Sequence, residues 1–108
     1  MKPRHHWRNK QSRALFGAIL KLKTEKEVAA FLRDLCTIEE LEEMAKRFWA
    51  VRMLQRGRSY REIAQKTGLS TTTVTRVAHW LNHGEGGYQL ILNRQNFHHN
   101  SYLAFKKS

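Results

Sequence analysis

Residues 60–79 read YREIAQKTGLSTTTVTRVAH, and the fold turns on how this stretch is read. Ser59 followed by Glu62 is a capping box that starts a short helix. Ile63 and Ala64 lie on its inner face, where the small Ala lets a second helix cross closely. Gly68 follows Thr67 where that helix must stop, because a left-handed residue there is cheap only for glycine. Leu69 returns the chain to the core. Ser70 then caps a second helix with Val74, Val77, Ala78 and Leu81 at i, i+3, i+4 and i+7. The pattern is a helix-turn-helix spanning 60–79.

The outward face of the second helix carries Thr71, Thr72, Thr73, Thr75, Arg76 and His79. Successive β-branched hydroxyl residues are poor choices for a helix interior, so something other than helix stability favours them. Their methyls can meet thymine methyls and their hydroxyls can bond to bases or phosphates, which suits a helix in a DNA major groove. The plainer reading is a capped helical hairpin with a polar face. Arg56, Arg58 and Tyr60, at the entrance to the head, suit phosphate contacts.

Charge placement points the same way. The chain has 108 residues and a net charge of +11. Its first thirteen residues hold Lys2, Arg4, Arg8, Lys10 and Arg13 with no acid, whereas residues 14–43 are net acidic. From residue 44 onward the only acids are Glu62 and Glu85, against eleven basic residues. Positive charge gathered around the helix-turn-helix and the ends favours a polyanion approached by a salt-sensitive electrostatic route. An anionic membrane fits less well, since the basic residues do not form a strongly amphipathic terminal helix. The apolar run Ala14–Leu20 is too short to span a bilayer and no cleavage-site pattern follows it, so a cytoplasmic protein is expected. Cys36 is the single cysteine, which excludes an intrachain disulfide and suits a reducing compartment.

The rest of the chain reads as one small helical domain between two arms: a flexible basic arm at 1–11, the domain at 12–92, and a basic, aromatic tail at 93–108. Trp7 can anchor the first arm on the fold or on nucleic acid. Leu15, Phe16, Ile19 and Leu22 predict a first helix near 12–23. Thr24 with Glu27 and Thr37 with Glu40 are capping boxes for a second and a third. The third should run to about Gln55, with Gly57 just beyond. Its second half, RFWAVRML, is apolar nearly all round, more than a chain this small can surround. A homodimer with a shared core is therefore expected, and two recognition helices on a two-fold axis would meet major grooves about 34–36 Å apart. After a glycine-rich break at 84–87, Tyr88, Leu90, Ile91 and Leu92 predict a short helix packing back on the core. Phe97, Tyr102, Leu103 and Phe105 give the tail the means to dock in part.

Taken in order, FLRDLCTIEELEEMAKR (31–47), LQRGRSYREIAQKTGLSTTTVTRV (54–77) and LNHGEGGYQLIL (81–92) resemble the Trp repressor family, most closely its YerC/YecD-type subgroup. The resemblance covers half to two-thirds of the chain. It implies an all-α, intertwined helical homodimer from which the helix-turn-helix projects as a reading head. It places the family's base- and phosphate-reading positions on Arg61, Ala64, Thr71, Thr72, Thr73 and Thr75. The family's lysine is absent at Ala64, so one contact is expected to be missing. Arg61 can fork onto a guanine edge. Part of the readout is implied to pass through ordered water, as in the Trp repressor–operator complex.

The family's effector is tryptophan, held between two arginines that match Arg47 and Arg76, with a threonine of the other subunit that matches Thr37. Other pocket positions depart: a glycine is Val77 here, a small serine is Trp80, and two leucines are Asp34 and Cys36. These changes imply that Trp80 takes the volume a free indole would fill and that tryptophan is not needed. On the other reading Trp80 is a core aromatic, and Arg47 is an ion-pair partner of Glu43 one turn back.

No catalytic constellation stands out; there is no phosphate loop, GxSxG or CxxC, so no enzyme is expected. His79 and His83, four apart, lack a third ligand in sequence, and capping or phosphate contact is the preferred role for them over metal binding. The favoured function is a sequence-specific DNA-binding transcriptional regulator, a repressor in kind, acting on a palindromic operator without a required cofactor. The alternatives are an architectural or replication-associated DNA binder, an RNA-binding protein, and an interaction module for an acidic protein.

Overall fold

The computed structural model describes residues 6–95, which fold into helices with no strand among them. The arm residues Lys2, Arg4 and His5, and the tail from Asn96 with Phe97, Tyr102, Leu103 and Phe105, lie outside the described residues. The chain forms two compact units that divide between Leu41 and Glu42.

The first unit contains α1 (Lys10–Leu20) and α2 (Glu25–Leu35). Helix α1 starts two residues before its expected position. Asn9 caps it, accepting from the Ser12 amide at 2.9 Å while the Ser12 hydroxyl accepts from the Asn9 amide at 2.9 Å. This reciprocal box uses Asn and Ser where Ser/Thr and Glu/Gln are the usual signature, so the sequence pattern does not mark it. Lys10 and Gln11 are therefore helical rather than part of an arm. Trp7 lies edge-on to Phe16 with ring centres 6.2 Å apart, and the Arg8 guanidinium stands 5.0 Å over its ring. Trp7 thus ties the entering chain to α1.

Thr24 caps α2 as expected, accepting from the Glu27 amide at 3.1 Å. The Glu27 carboxylate reaches one residue further back than a capping box requires, to the Lys23 amide at 2.8 Å. No residue of α1 or α2 is buried, and Phe16, Ile19, Leu20, Val28 and Leu35 are exposed.

Helix α3 (Ile38–Gln55) begins with the predicted box in full: the Thr37 amide donates to Glu40 at 2.8 Å and the Glu40 amide to Thr37 Oγ1 at 3.0 Å. Its second half enters the core of the second unit through Ala50 and Val51, both wholly buried. Trp49, on the same turn, is half exposed beneath the Arg52 guanidinium, 5.0 Å from its ring. One side of this segment, not its whole circumference, is covered within the chain.

Helices α4 (Tyr60–Thr67) and α5 (Thr71–His83) pack together over that core, followed by α6 at 87–95. Ile63, Leu69, Val74 and Val77 join Ala50, Val51 and Leu92 in one cluster. Met53, Leu54, Ala64, Leu81 and Tyr88 pack around it. Each fully buried Val or Ile side chain contributes about 1.5–3 kcal/mol, so this cluster is what fixes the two-helix head on α3. Leu92 brings α6 back to the core as expected, while Leu90 and Ile91 stay exposed. The Gln89 side chain adds a tie to α5, donating to the Leu81 carbonyl at 3.2 Å.

Candidate nucleic-acid interface

The turn between α4 and α5 is built from three local devices. Ser59 Oγ accepts from the Glu62 amide at 3.1 Å, which starts α4. Gly68 ends it with φ +84°, donating to the Ala64 carbonyl at 2.9 Å. The nearest atom to a Cβ placed there is the flexible end of Lys46 at 3.7 Å, so the demand for glycine is conformational and not one of space. Ser70 then starts α5, its Oγ accepting from the Thr73 amide at 3.0 Å.

A fourth device was not read from the sequence. Thr67 is only 9% exposed, and its hydroxyl donates to the Ile63 carbonyl at 2.7 Å while accepting from the Leu69 amide at 3.1 Å. That hydroxyl bridges the last turn of α4 to the residue that re-enters the core. A threonine at a helix end reads as a weak helix former. The signal that could have found it is Thr placed between a buried Ile four residues back and a buried Leu two residues on.

On the outward face of α5 the threonines divide. Thr71 and Thr72 are exposed, and neither hydroxyl has a hydrogen-bond partner among the described residues. Thr73 is partly buried and its Oγ1 accepts from Ser70 Oγ at 3.0 Å, so it belongs partly to the cap. Thr75 Oγ1 donates to the Thr71 carbonyl at 2.9 Å and offers a partner its methyl and remaining lone pairs. Arg76 and His79 are exposed further along the helix.

Arg56, Tyr60 and Arg61 are exposed at the entrance to the head. Arg58 is exposed too, but its guanidinium meets Glu62 at 3.0 Å. Glu62 therefore does not turn back to the Ser59 amide, and only half of the predicted capping box forms. The head, from Arg56 to His83, carries Arg56, Arg58, Arg61, Lys66 and Arg76 against Glu62 alone, and Glu62 is spent on Arg58. Its surface is positive around two unengaged hydroxyls at the N-terminal end of α5, where unpaired backbone amides also favour anions.

The residues matched to an effector pocket do not share one environment. Val77 is wholly buried in the core cluster, so it serves packing and shows no surface to a ligand. Arg47 pairs with Glu43 at 3.6 Å, the ion pair that the i, i+4 spacing allowed. Thr37 is engaged in capping α3. Trp80 is 48% exposed and is not a core aromatic of this chain. It lines an open groove of about 690 Å³ with His79, His83, Gly84, Glu85, Gly87 and Tyr88. Glycine is needed at 84 because a Cβ there would collide with the Trp80 carbonyl, to which the Gly84 amide is hydrogen-bonded at 2.9 Å.

Among the described residues, no three His, Cys, Asp or Glu side chains gather as a metal site, and no helix is long and apolar enough to cross a membrane.

A capped two-helix head set on an apolar core, with a basic rim and a hydroxyl-bearing second helix, defines a helix-turn-helix protein of the DNA-binding class. The family model for Trp repressor protein matches residues 10–96. YerC of Bacillus subtilis, an uncharacterized protein, is 42% identical over 87 residues, which make up 81% of this chain and 84% of YerC. A solved TrpR-like protein from Eubacterium eligens superimposes with a TM-score of 0.79 at 40% identity, covering 83% of this chain and 93% of its own. A structure from Staphylococcus aureus gives 0.77 at 37% identity, over 82% of this chain and 89% of its own. The chain belongs to the Trp repressor family.

Proposed function

We propose that this protein is a cytoplasmic, sequence-specific transcriptional regulator, a repressor in kind, that binds a palindromic operator as a homodimer. The observation that carries this reading is the pairing of Thr71 and Thr72, exposed and unengaged at the start of α5, with a basic rim whose one acid is already paired. Free hydroxyls and methyls at the N-terminal end of a recognition helix suit contact with base edges, and the surrounding guanidiniums suit phosphates. Dimerisation is supported by the apolar side chains of α1 and α2 that stay exposed among the described residues, Phe16, Ile19, Leu20, Val28 and Leu35, and by the half-exposed Trp49. Apolar surface on that scale belongs against a partner.

Tryptophan is not required in this reading. Its support is the bulk of Trp80, which stands where the family has a small residue, together with the closed packing of Val77. Selection of bound sequences from a random duplex pool at stated salt tests the function. A palindromic consensus is expected; retention without any consensus would favour an architectural binder, and no retention would end the DNA reading. Calorimetry with tryptophan is expected to show no stoichiometric uptake.

A further inference from the structure

The ring centres of His79 and His83 lie 5.1 Å apart with the planes tilted by 40°. That spacing lies within the range of ordinary tilted aromatic contacts, and it is also compatible with one shared ion. An imidazole centre lies roughly 3.2 Å from a zinc ion bonded to its nitrogen at about 2.0 Å, so two rings on one tetrahedral ion stand about 5 Å apart. The centroid separation of the two histidines, 5.1 Å, matches that of two imidazoles sharing one ion. Spacing in the sequence puts both residues on one face of α5, and the ring placement shows the two imidazoles side by side there.

Two independent features favour a cation here. His83 is in the last turn of α5, where the C-terminal carbonyls give a negative potential. Glu85 lines the same groove and adds a carboxylate without joining the histidines in a three-donor cluster. The groove beside the rings, about 690 Å³ and open to solvent, has room for the waters that complete the coordination of an ion with two protein ligands. Imidazole donors select borderline first-row dications over magnesium or calcium.

We propose that His79 and His83 chelate one zinc-class transition-metal ion per chain at the end of α5. The site has two protein ligands and exchangeable water, so it is an exchanging site, not a structural one. The ion is measured with no DNA present, so failure here and failure of the DNA reading are separate results.

The remaining histidines, His5, His6, His98 and His99, are first replaced by Ala in the full chain to remove their background. Zinc is then titrated in competition with a chromophoric chelator. One saturable site per chain is expected, unaffected by excess magnesium. His79→Gln and His83→Gln should each weaken it by at least about tenfold, with the thermal midpoint of the metal-free chain unchanged because both side chains are exposed. Absence of saturable uptake, or a loss smaller than about threefold in either variant, overturns the proposal, and an intermediate loss in either variant also counts against it.

Discussion

The Thr67 hydroxyl serves two partners at once, and replacing it with a methyl leaves the Leu69 amide without one in a buried turn. Thr67→Val should cost about 1–3 kcal/mol in chemical denaturation, whereas Thr67→Ser should recover most of it. Arg61 and Arg58 should separate by readout. Arg61→Ala should reduce discrimination between operator and random DNA by about 1–3 kcal/mol, while Arg58→Ala should weaken every sequence alike. Binding isotherms on both DNAs check this, and equal losses for the two variants would refute the division. At this scale the sequence was least informative. The side chain of Thr67 looks like any weak helix former until the buried amide above it is seen. Glu62 satisfied a capping pattern, but the pattern could not show that Arg58 competes for the same carboxylate.

Helix ends were the most legible feature because caps are local chemistry. Thr37 with Glu40, Ser59, Gly68 and Ser70 each stand where the sequence predicts a Ser/Thr acceptor or a glycine. The exception, α1, opened on Asn9 and Ser12, a pair outside the usual signature. Periodicity likewise located Ile63, Val74, Val77 and Ala78 inside, and it marked the second half of α3 as more apolar than one chain covers, as the half-exposed Trp49 shows. An apolar side chain records that something covers it, without recording which chain does. Helix α5 gives the sharpest test of purpose. Thr72→Ala replaces a β-branched residue with the best helix former, so thermal stability should hold or rise by up to about 0.5 kcal/mol. Operator affinity should fall at the same time. Gly84→Ala should act in the opposite sense, lowering stability through collision with the Trp80 carbonyl, because the obstructing atom is backbone and cannot swing aside.

For the molecule as a whole, charge is the property that reaches furthest. With +11 on 108 residues, DNA affinity should fall linearly in log–log form with salt, and removing Arg56 should reduce the slope by about 1. Filter-binding or anisotropy over a salt series measures it. The fold family was readable because its order of motifs is long and specific; the mode of assembly rests on the family resemblance and on surplus apolar surface. Ile19→Glu or Leu35→Glu, at exposed apolar positions of α1 and α2, should shift the sedimentation mass toward a single chain.

The bare faces of α1 and α2 carry a further consequence for the cell. Under the dimer proposed above, those faces are covered by another copy, so folding and pairing are one bimolecular reaction. The melting temperature should then climb with dose, by mass action. A gene switched down far enough would yield chains that are not merely fewer but less folded, which would sharpen the threshold at which control is lost.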